Sequence, residues 1–323
     1  MKKITTLLCC LIGITLSIAQ ENPQWLRYPT ISPDGSQIVF TYKGDLYRVS
    51  SSGGEARQLT FHEAHDYMPV WSKDGQRLAF ASDRYGNFDV FVMDAQGGPA
   101  QRLTFHSSSE KPFSFSADDS QVIFGGVRQD LAPHRQYPTG SQPELYQVPV
   151  KGGRVGQILT VPAEWVQVKQ DGSQMIYHDK KGGENEWRKH HVSSITRDIW
   201  TYDPKTGKHQ QITSFAGEDR HPVYSADESS IYYLSEANGN FNVYKKGLSA
   251  SASAEQLTDF TLHPVRFLSR GGDKLCFSYD GFLYTLVEGQ KPQKVPVTIR
   301  TQAIANKEKF ININGGVREM DIS

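Results

Sequence analysis

The stretch "YHDKKGGENEWRKHHVSSITRDIWTYD", residues 177–203, contains the residue types that hydrolases use for acid, base and nucleophilic chemistry. His178 stands beside Asp179, and a pair of histidines and a pair of serines follow. A serine becomes a nucleophile only when a base and an orienting acid lie within hydrogen-bond distance, which residue types alone do not establish. The elements that carry this stretch must therefore be identified before it is assigned any chemistry.

Other motifs with possible chemistry are weaker. The histidines of "HEAH", residues 62–65, are three apart, whereas the zinc-protease helix needs two histidines four apart on one face. The segment "SASASAEQL", residues 249–257, superficially resembles a peptidase nucleophile motif, but it falls in a predicted hairpin turn. A G-x-S-x-G elbow, a phosphate-binding loop and a dinucleotide fingerprint are all missing from the sequence. We therefore predict no catalytic residue, no metal site and no cofactor in this chain.

The amino terminus has the pattern of a secretory signal peptide. Two lysines precede an uncharged apolar run at residues 4–18, which ends in small residues. We expect residues 1–19 to be removed and the mature chain to be exported to a periplasm. The apolar run is too short for a membrane span, and no other stretch reaches the required length. Removal of the leader leaves Cys276 alone, so we expect no internal disulfide and a buried Cys276.

Charge excludes one class of partner. The chain has 35 basic and 35 acidic residues, and loss of the two leader lysines shifts the balance slightly to the acidic side. Nucleic-acid binding depends on clustered lysine and arginine that neutralise phosphates. We therefore expect no nucleic-acid partner.

One unit is repeated six times along the chain. The segment "YPTISPDGSQIVFTYKGDLYRVSSSGGEARQLT", residues 28–60, has four short alternating stretches separated by turn residues, and residues 67–104 repeat it closely. Four weaker copies follow, so the period is roughly 40 to 56 residues. The repeats lie at about residues 28–60, 66–104, 111–160, 164–213, 221–258 and 264–299.

A four-stranded repeat of this period is typical of a β-propeller blade. Closure of six small sheets into a ring protects edges that an open array would expose. The sequence therefore predicts an all-β fold, a six-bladed β-propeller of four-stranded antiparallel blades at residues 20–300. Ile322-Ser323 matches Ile31-Ser32, which precede the first "PDG" turn. We expect residues 301–323 to be a linker and the first strand of a following domain.

The repeat places residues 177–203 in an enlarged turn between strands two and three of the fourth blade. Such turns share one face of the disc with the connections between blades. The third blade has a similar insertion, "GVRQDLAPHRQYPTGSQPE", residues 126–144. Long loops on a rigid scaffold often carry function. Candidate peptide-binding or docking residues on this face are His62, His65, Asp66, Arg84, Arg128, Arg135, His178, Asp179, Arg188, His190, His191, Arg197, Asp219 and Arg220.

Two interpretations of these charged residues stay open. They form either local ion pairs on a solvated face or a binding face for another molecule. A catalytic site is not predicted among them, because no motif supplies an activated nucleophile.

With the repeats and the insertions in view, the chain resembles the amino-terminal propeller of bacterial tricorn protease homologues. The "PDG…DLYRV…RQLT" unit alone is shared with TolB-like propellers. More specific are "YPTGSQPELYQVPVKGGR", the fourth-blade stretch, "GEDRHPVYS", "YYLSEANGNFNVYK", "HPVRFLS" and "LCFSYDGFLYTL". Together these motifs cover nearly all of residues 28–298.

The resemblance implies a role in a peptidase, but it assigns no catalytic residue to this chain. Proteins of this family are large serine peptidases in which a second propeller, a PDZ-like domain and a catalytic domain follow the first propeller. It implies a non-catalytic substrate-access and peptide-filtering module, with peptides, the carboxy-terminal peptidase domains and further copies of the chain as partners. Archaeal tricorn is cytoplasmic, whereas the leader here indicates a periplasm.

Two alternatives to this function remain. A stand-alone TolB-like propeller that binds envelope proteins would also have a leader and six blades. The propeller of a prolyl-oligopeptidase-type enzyme would need an α/β-hydrolase domain after residue 301, and no strand-turn-helix elbow begins there.

Overall fold

The computed structural model describes residues 19–21, 23–128, 142–183 and 185–300. Within these ranges every regular element is a β-strand, and six sheets of four antiparallel strands follow one another along the chain. The predicted all-β six-bladed propeller is thus confirmed. No helix in the described ranges is long and apolar enough to cross a membrane.

The strands form six consecutive blades along the chain. In each blade the strands pair in chain order, and β1, β5 and β27 form a separate small sheet. The strands are β1 (Ala19–Glu21); β2 (Arg27–Ile31), β3 (Gln37–Tyr42), β4 (Asp45–Ser50), β5 (Gly54–Glu55) and β6 (Arg57–Gln58) in and beside blade one; β7 (Asp66–Trp71), β8 (Arg77–Ser82), β9 (Asp89–Asp94) and β10 (Gln101–Arg102) in blade two; β11 (Lys111–Phe115), β12 (Gln121–Gly126), β13 (Glu144–Pro149) and β14 (Gly156–Leu159) in blade three; β15 (Ala163–Val168), β16 (Met175–Asp179), β17 (Ile199–Asp203) and β18 (Lys208–Gln211) in blade four; β19 (Asp219–Tyr224), β20 (Ser230–Ser235), β21 (Asn242–Gly247) and β22 (Ala254–Gln256) in blade five; and β23 (Arg266–Gly271), β24 (Lys274–Tyr279), β25 (Phe282–Val287), β26 (Gln293–Lys294) and β27 (Val297–Arg300) in and after blade six.

The recurrent "S-x-D-G" segment forms the turn between strands one and two. In blade one, Ser32 Oγ accepts the Gln37 backbone N–H at 2.9 Å, and Asp34 Oδ1 accepts the Ser36 N–H at 3.1 Å. Gly35 has a φ of 73°, a left-handed conformation that glycine adopts without steric cost. The same side-chain bonds recur at Ser72 and Asp74, Ser116 and Asp118, and Ser225 and Asp227.

The "LT" that ends the first, second and fifth units, and the "IT" that ends the fourth, hold strand four against strand three. The Leu59 N–H donates to the Leu46 carbonyl at 2.7 Å, while Thr60 Oγ1 accepts the Leu46 N–H at 3.0 Å. Thr104, Thr213 and Thr258 accept the equivalent N–H groups at 2.9 Å each. The motif therefore satisfies buried backbone groups where the short outer strand ends.

Every innermost strand contains a register irregularity where it pairs with strand two of its blade. In five blades a residue at this bulge has a φ between 50° and 60°, an unusual conformation for residues other than glycine. These residues are Tyr28, Met68, Trp165, His221 and Phe267. A β-bulge bends its strand and redirects side chains, here on the strands that surround the central channel.

Blades one and six close the ring through direct contacts. Ser278 Oγ donates to the Leu26 carbonyl at 2.6 Å, and the Ile31 N–H donates to Ser269 Oγ at 3.2 Å. Strand β27 lies between β1 and β5, antiparallel to the first and parallel to the second. Cys276 is buried in the apolar cluster that joins these two blades.

We expect Gly271→Ala to destabilise the ring at this closure. A Cβ on residue 271 would lie 1.8 Å from the Ser32 carbonyl oxygen, so the backbones of blades one and six would have to separate. The free energy of unfolding should fall by about 2–3 kcal/mol or more in urea titration. Gly156→Ala is the matched control, because its Cβ would meet side-chain atoms only at 3.9 Å. Equal stability of the two variants would contradict this view of ring closure.

Candidate functional site

One face of the disc, here called the loop face, carries the turns between strands two and three and the connections between blades. The Asp66 N–H donates to the Gly44 carbonyl at 2.7 Å and so ties a connection to a turn on this face. All the large apolar side chains that are exposed among the described residues belong to it: Trp25, Phe61, Tyr85, Phe105, Val161, Trp187, Val192, Phe215 and Leu262. Surface of this kind on one side of a protein indicates an interaction site.

Buried carboxylates hold arginines on the loop face. Arg84 pairs with Asp66 at 2.8 Å, and Arg128 pairs with Glu110 at 2.6 Å. Both carboxylates are fully buried, and both guanidinium groups lie over aromatic rings of their own blade. Charges removed from water need such partners. Asp89 and Arg102 repeat this arrangement at 2.8 Å.

Glu218 is the centre of the largest ion cluster. Its carboxylate lies 3.1 Å from Arg197 Nη1, 2.9 Å from Arg220 Nε and 3.3 Å from His191 Nδ1. Burial alone would raise the pKa of Glu218, but hydrogen bonds and positive charge from Arg220 and Arg197 outweigh it and hold the pKa at about 2. The carboxylate is therefore ionised, and it joins the loop of blade four to the first strand of blade five.

Part of the blade-four loop, residues 185–191, crosses the inner ends of other blades; we call it the strap. The Glu186 carbonyl accepts Arg220 Nη1 of blade five at 2.6 Å and Arg266 Nη1 of blade six at 3.0 Å. The Trp187 ring lies 6.0 Å from the Phe267 ring of blade six and 5.1 Å from the Arg27 guanidinium of blade one. The strap thus covers the mouth of the central channel on the loop face.

Below the strap, aromatic side chains of the innermost strands meet in the channel; we call them the collar. The collar consists of Tyr28, Tyr67, Trp165, His221 and Phe267. Trp165 lies 3.8 Å from the His221 ring and 6.2 Å from the Phe267 ring, centroid to centroid. Tyr28 lies 4.5 Å from Phe267 and 5.4 Å from Tyr67. Because blades four and six are not neighbours, contact between their side chains means that the collar narrows the channel.

A cavity adjoins the collar. It is lined by residues of five blades and is partly open to solvent. Tyr28 and Trp165 of the collar belong to its wall, together with Met68 and Phe113. Its wall is mainly apolar.

Two buried histidines connect the collar to its neighbours. His178 Nδ1 accepts the His221 backbone N–H at 3.2 Å, and His221 Nδ1 accepts the Phe267 N–H at 3.3 Å. Burial lowers the pKa of His178 to about 4, although a hydrogen bond and the negative charge of Glu164 oppose this shift. Burial also lowers the pKa of His221 well below its usual value. Both rings are therefore neutral near pH 7 and act as acceptors between blades.

Asp179 and Asp219, two of the three aspartates predicted on this face, are also buried. Asp179 accepts the Asp198 N–H at 2.8 Å and the Trp200 indole N–H at 3.1 Å. Burial raises the pKa of Asp219 to about 7, although hydrogen bonds from Ser235 and Thr213 oppose the shift. Both groups hold strand ends in place and are not exposed to solvent.

The structure divides the fourteen residues predicted for this face. Four are exposed on loops: His62, His65, Arg188 and His190. Nine are buried or half-buried: Asp66, Arg84, Arg128, His178, Asp179, His191, Arg197, Asp219 and Arg220. Each of these nine hydrogen-bonds within the face, and the remaining one, Arg135, lies outside the described residues. Their peptide-binding role stays a prediction.

Sequence reasoning missed the residues at the channel mouth. Arg27, Arg266, Trp25 and Trp187 come together from blades one, four and six. The sequence signal that could have pointed to this site was Arg27, which stands two residues after Trp25 at the start of the first repeat. The length of the blade-four loop gave no information about which blades it would contact.

The described residues show neither a metal cluster nor a serine nucleophile in this loop. No group of three His, Cys, Asp or Glu side chains in the described ranges is placed to hold a metal ion. Ser193 Oγ accepts the Ile195 N–H at 3.2 Å, and the nearby His191 faces Glu218. The histidines, acids and serines of residues 177–203 therefore belong to separate networks within the part that the structure describes.

The closed ring of six four-stranded antiparallel blades defines the class of six-bladed β-propeller domains. A family model described as the tricorn protease N-terminal β-propeller domain matches residues 23–292. The chain belongs to this family.

Curated relatives share modest identity. The chain is 28% identical over 252 residues to dipeptidyl-peptidase 5 of Porphyromonas gingivalis, covering 64% of this chain and 36% of that protein. It is 23% identical over 291 residues to tricorn protease homolog 1 of Streptomyces coelicolor, covering 89% of this chain and 26% of that protein. The chain thus matches about a quarter to a third of the length of these relatives.

Solved structures share the fold. The crystal structure of the tricorn protease matches with a TM-score of 0.71 and 20% identity over 84% of this chain and 26% of that one. TolB from Acinetobacter baumannii matches with a TM-score of 0.57 and 18% identity over 82% of this chain and 67% of that one. At these identities the likeness shows the fold alone.

We expect Glu218→Gln to be strongly destabilising. The change leaves Arg197 and Arg220 buried without their carboxylate, and loss of one partner from a buried ion pair costs about 3–5 kcal/mol. Urea unfolding should show this loss. Glu55→Gln is the control, because its pair with Arg300 is solvent-exposed and should contribute less than about 1 kcal/mol. Similar small effects of both changes would mean that the Glu218 cluster does not anchor the loop.

We also expect His178 to destabilise the fold as the pH is lowered from 6.5 to 4, whereas Asp219, with its raised pKa, acts in the opposite direction. In this window the unfolded chain binds a proton at His178 that the folded chain, with a pKa of about 4, does not. The free energy of unfolding should lose on the order of 3 kcal/mol through this residue.

Urea unfolding across this window checks the histidine effect. His178→Gln keeps a side-chain acceptor but does not titrate, so between pH 6.5 and pH 4 it should lose less stability, relative to its own value at pH 6.5, than the wild type does. The control His62→Gln changes an exposed histidine and should behave as the wild type. An unchanged pH dependence in His178→Gln would contradict the assignment.

Proposed function

We propose that the chain is the non-catalytic substrate-access and peptide-filtering propeller of a tricorn-like serine peptidase that degrades oligopeptides. The observation that carries the proposal is the strap, which lies over the mouth of a channel narrowed by the collar. Membership of the tricorn amino-terminal propeller family supports it. In this proposal, peptidase domains outside this chain cleave the peptides, and the propeller selects which peptides reach them.

Selection follows from the size and chemistry of the channel. A folded protein is wider than the space between the innermost strands, so it stops at the loop face. An extended peptide passes only if the strap shifts and the collar rings rotate. Aromatic or apolar side chains of the peptide would then take the place of contacts between collar rings. Passage of peptides with such side chains is therefore favoured over passage of peptides with strongly charged side chains.

The proposed partners are the peptidase domains and short peptides. We propose that the leader directs the chain to a periplasm, where the propeller serves the breakdown of exported peptides. Contact with the peptidase domains or with further copies of the chain is assigned to the exposed apolar residues of the loop face.

A second function is favoured by one observation. The exposed apolar side chains, Phe61, Phe105 and Leu262 among them, spread over the whole loop face and not only over the channel mouth. A stand-alone, TolB-like propeller that binds a folded envelope protein would use such a broad surface.

Peptide binding to the full chain tests the favoured function. Fluorescence anisotropy should show saturable binding of labelled short oligopeptides and no binding of a small folded protein. Trp187→Ala removes the strap's ring contacts with Phe267 and Arg27, so peptide association in stopped-flow mixing should become several-fold faster. The control Tyr85→Ala removes an exposed aromatic side chain of the same face in blade two and should leave the rate unchanged.

Each outcome selects one function. Faster association in Trp187→Ala alone supports access control at the strap. Failure of all peptides to bind, with recovery of one defined folded protein from an envelope extract, would replace the proposal with the TolB-like function.

A further inference from the structure

Two arginines at the channel mouth differ from the others on the loop face. Arg84, Arg102, Arg128, Arg197 and Arg220 each lie within 3.1 Å of a carboxylate. Among the described residues, no carboxylate oxygen lies within 4.0 Å of Arg27 or Arg266. Arg266 uses two donors on strap carbonyls, and within the described ranges the Arg27 guanidinium contacts the Trp25 and Trp187 rings.

Two indoles frame this pair of arginines. The Arg27 guanidinium lies 4.9 Å from the Trp25 ring centroid and 5.1 Å from that of Trp187. Arg266 lies 4.7 Å from the Trp187 ring. Trp25 is 67% exposed and Trp187 is 40% exposed, so both indoles offer free apolar surface beside the cations. Contact with the rings orients the guanidinium groups and leaves the Arg27 N–H donors available.

The mouth also has more positive than negative charge. Burial lowers the pKa of Arg266 to about 10. The positive charges of Arg220 and Arg27 also lower this pKa, whereas the negative charge of Glu186 raises it. Arg220 Nη2 is buried and has no hydrogen-bond partner among the described residues. An anion at the mouth would reduce the repulsion among these three cations.

We propose that Arg27 and Arg266, together with Trp25 and Trp187, bind the carboxyl-terminal carboxylate of a peptide whose last side chain is large and apolar. The inference rests on the proposed peptide-binding function and specifies which end of the peptide is recognised. A guanidinium binds a carboxylate through two parallel N–H donors, and adjacent indoles cover the last side chain. Capture of a chain terminus is an established mode of peptide recognition.

Matched peptides test this site on the full chain. Three labelled hexapeptides that end in phenylalanine are compared: one with a free carboxyl terminus, one amidated, and one amidated with an internal glutamate. The free acid should bind about tenfold or more tightly than either amide. The amide with glutamate separates a terminal carboxylate from a side-chain carboxylate.

Arginine variants identify the residue that reads the carboxylate. Arg27→Gln should weaken binding of the free acid to the level of the amide, and Arg27→Lys should fall between, because lysine keeps the charge without the planar pair of donors. Arg154→Gln makes the same change at an exposed arginine in the turn between strands three and four of blade three, on the other face, and should bind as the wild type. Circular dichroism establishes that each variant is folded.

The outcomes separate this inference from the function on which it rests. Equal binding of free acid and amide, unaffected by Arg27→Gln, overturns the carboxylate site and leaves peptide binding intact. Equal binding of the free acid and the glutamate-containing amide overturns recognition of the terminus in favour of side-chain acids. Absence of binding by every peptide overturns both the site and the peptide-filtering function.

Discussion

The buried carboxylate of Glu218 is the interaction on which the loop face depends most. It binds Arg197, where the blade-four loop ends, and His191 within the strap. It also binds Arg220, whose Nη1 donates to Glu186 at the start of the strap. An unpaired charge at this depth would be very unfavourable, so the carboxylate keeps the two arginines and the His191 ring in place. One side chain thus fixes both ends of a segment that crosses from blade four to blades five, six and one.

Buried carboxylates bind arginines in a simpler way elsewhere on the face. Asp66 and Glu110 each bind a single arginine, from the turn between strands two and three of the same blade. Each of these two pairs holds an arginine against the sheet of its own blade. Glu218 binds arginines of two different blades, and the loop between them is long enough to reach further. Geometric specificity, more than net stability, is the established use of buried ion pairs of this kind.

Local chemistry made the fold predictable from the sequence, and long-range contacts made the mouth unpredictable. The Ser32 and Asp34 turn and the Thr60 bond to strand three lie within single repeats, so the sequence pattern contains them directly. Trp187 contacts Arg27, which is distant in the sequence, and this contact depends on how the six blades close into a ring. Residue types were also a poor guide to chemistry: His178 and Asp179 are adjacent in sequence but bond to blades five and four, respectively. Local pairing therefore accounts for most of the charged residues that the sequence placed on this face.

Charge and apolar surface are separated along the channel axis. His221 accepts the Phe267 N–H through Nδ1 and stays neutral, so it stacks on Trp165 without placing a charge inside the collar. On the loop face, Arg27 and Arg266 lie at the mouth beside exposed indoles. A charged group entering from this face would meet these cations first and would lose its hydration within the collar, whereas an apolar side chain suffers no such penalty. From this face the channel therefore presents a cationic entrance before an aromatic constriction.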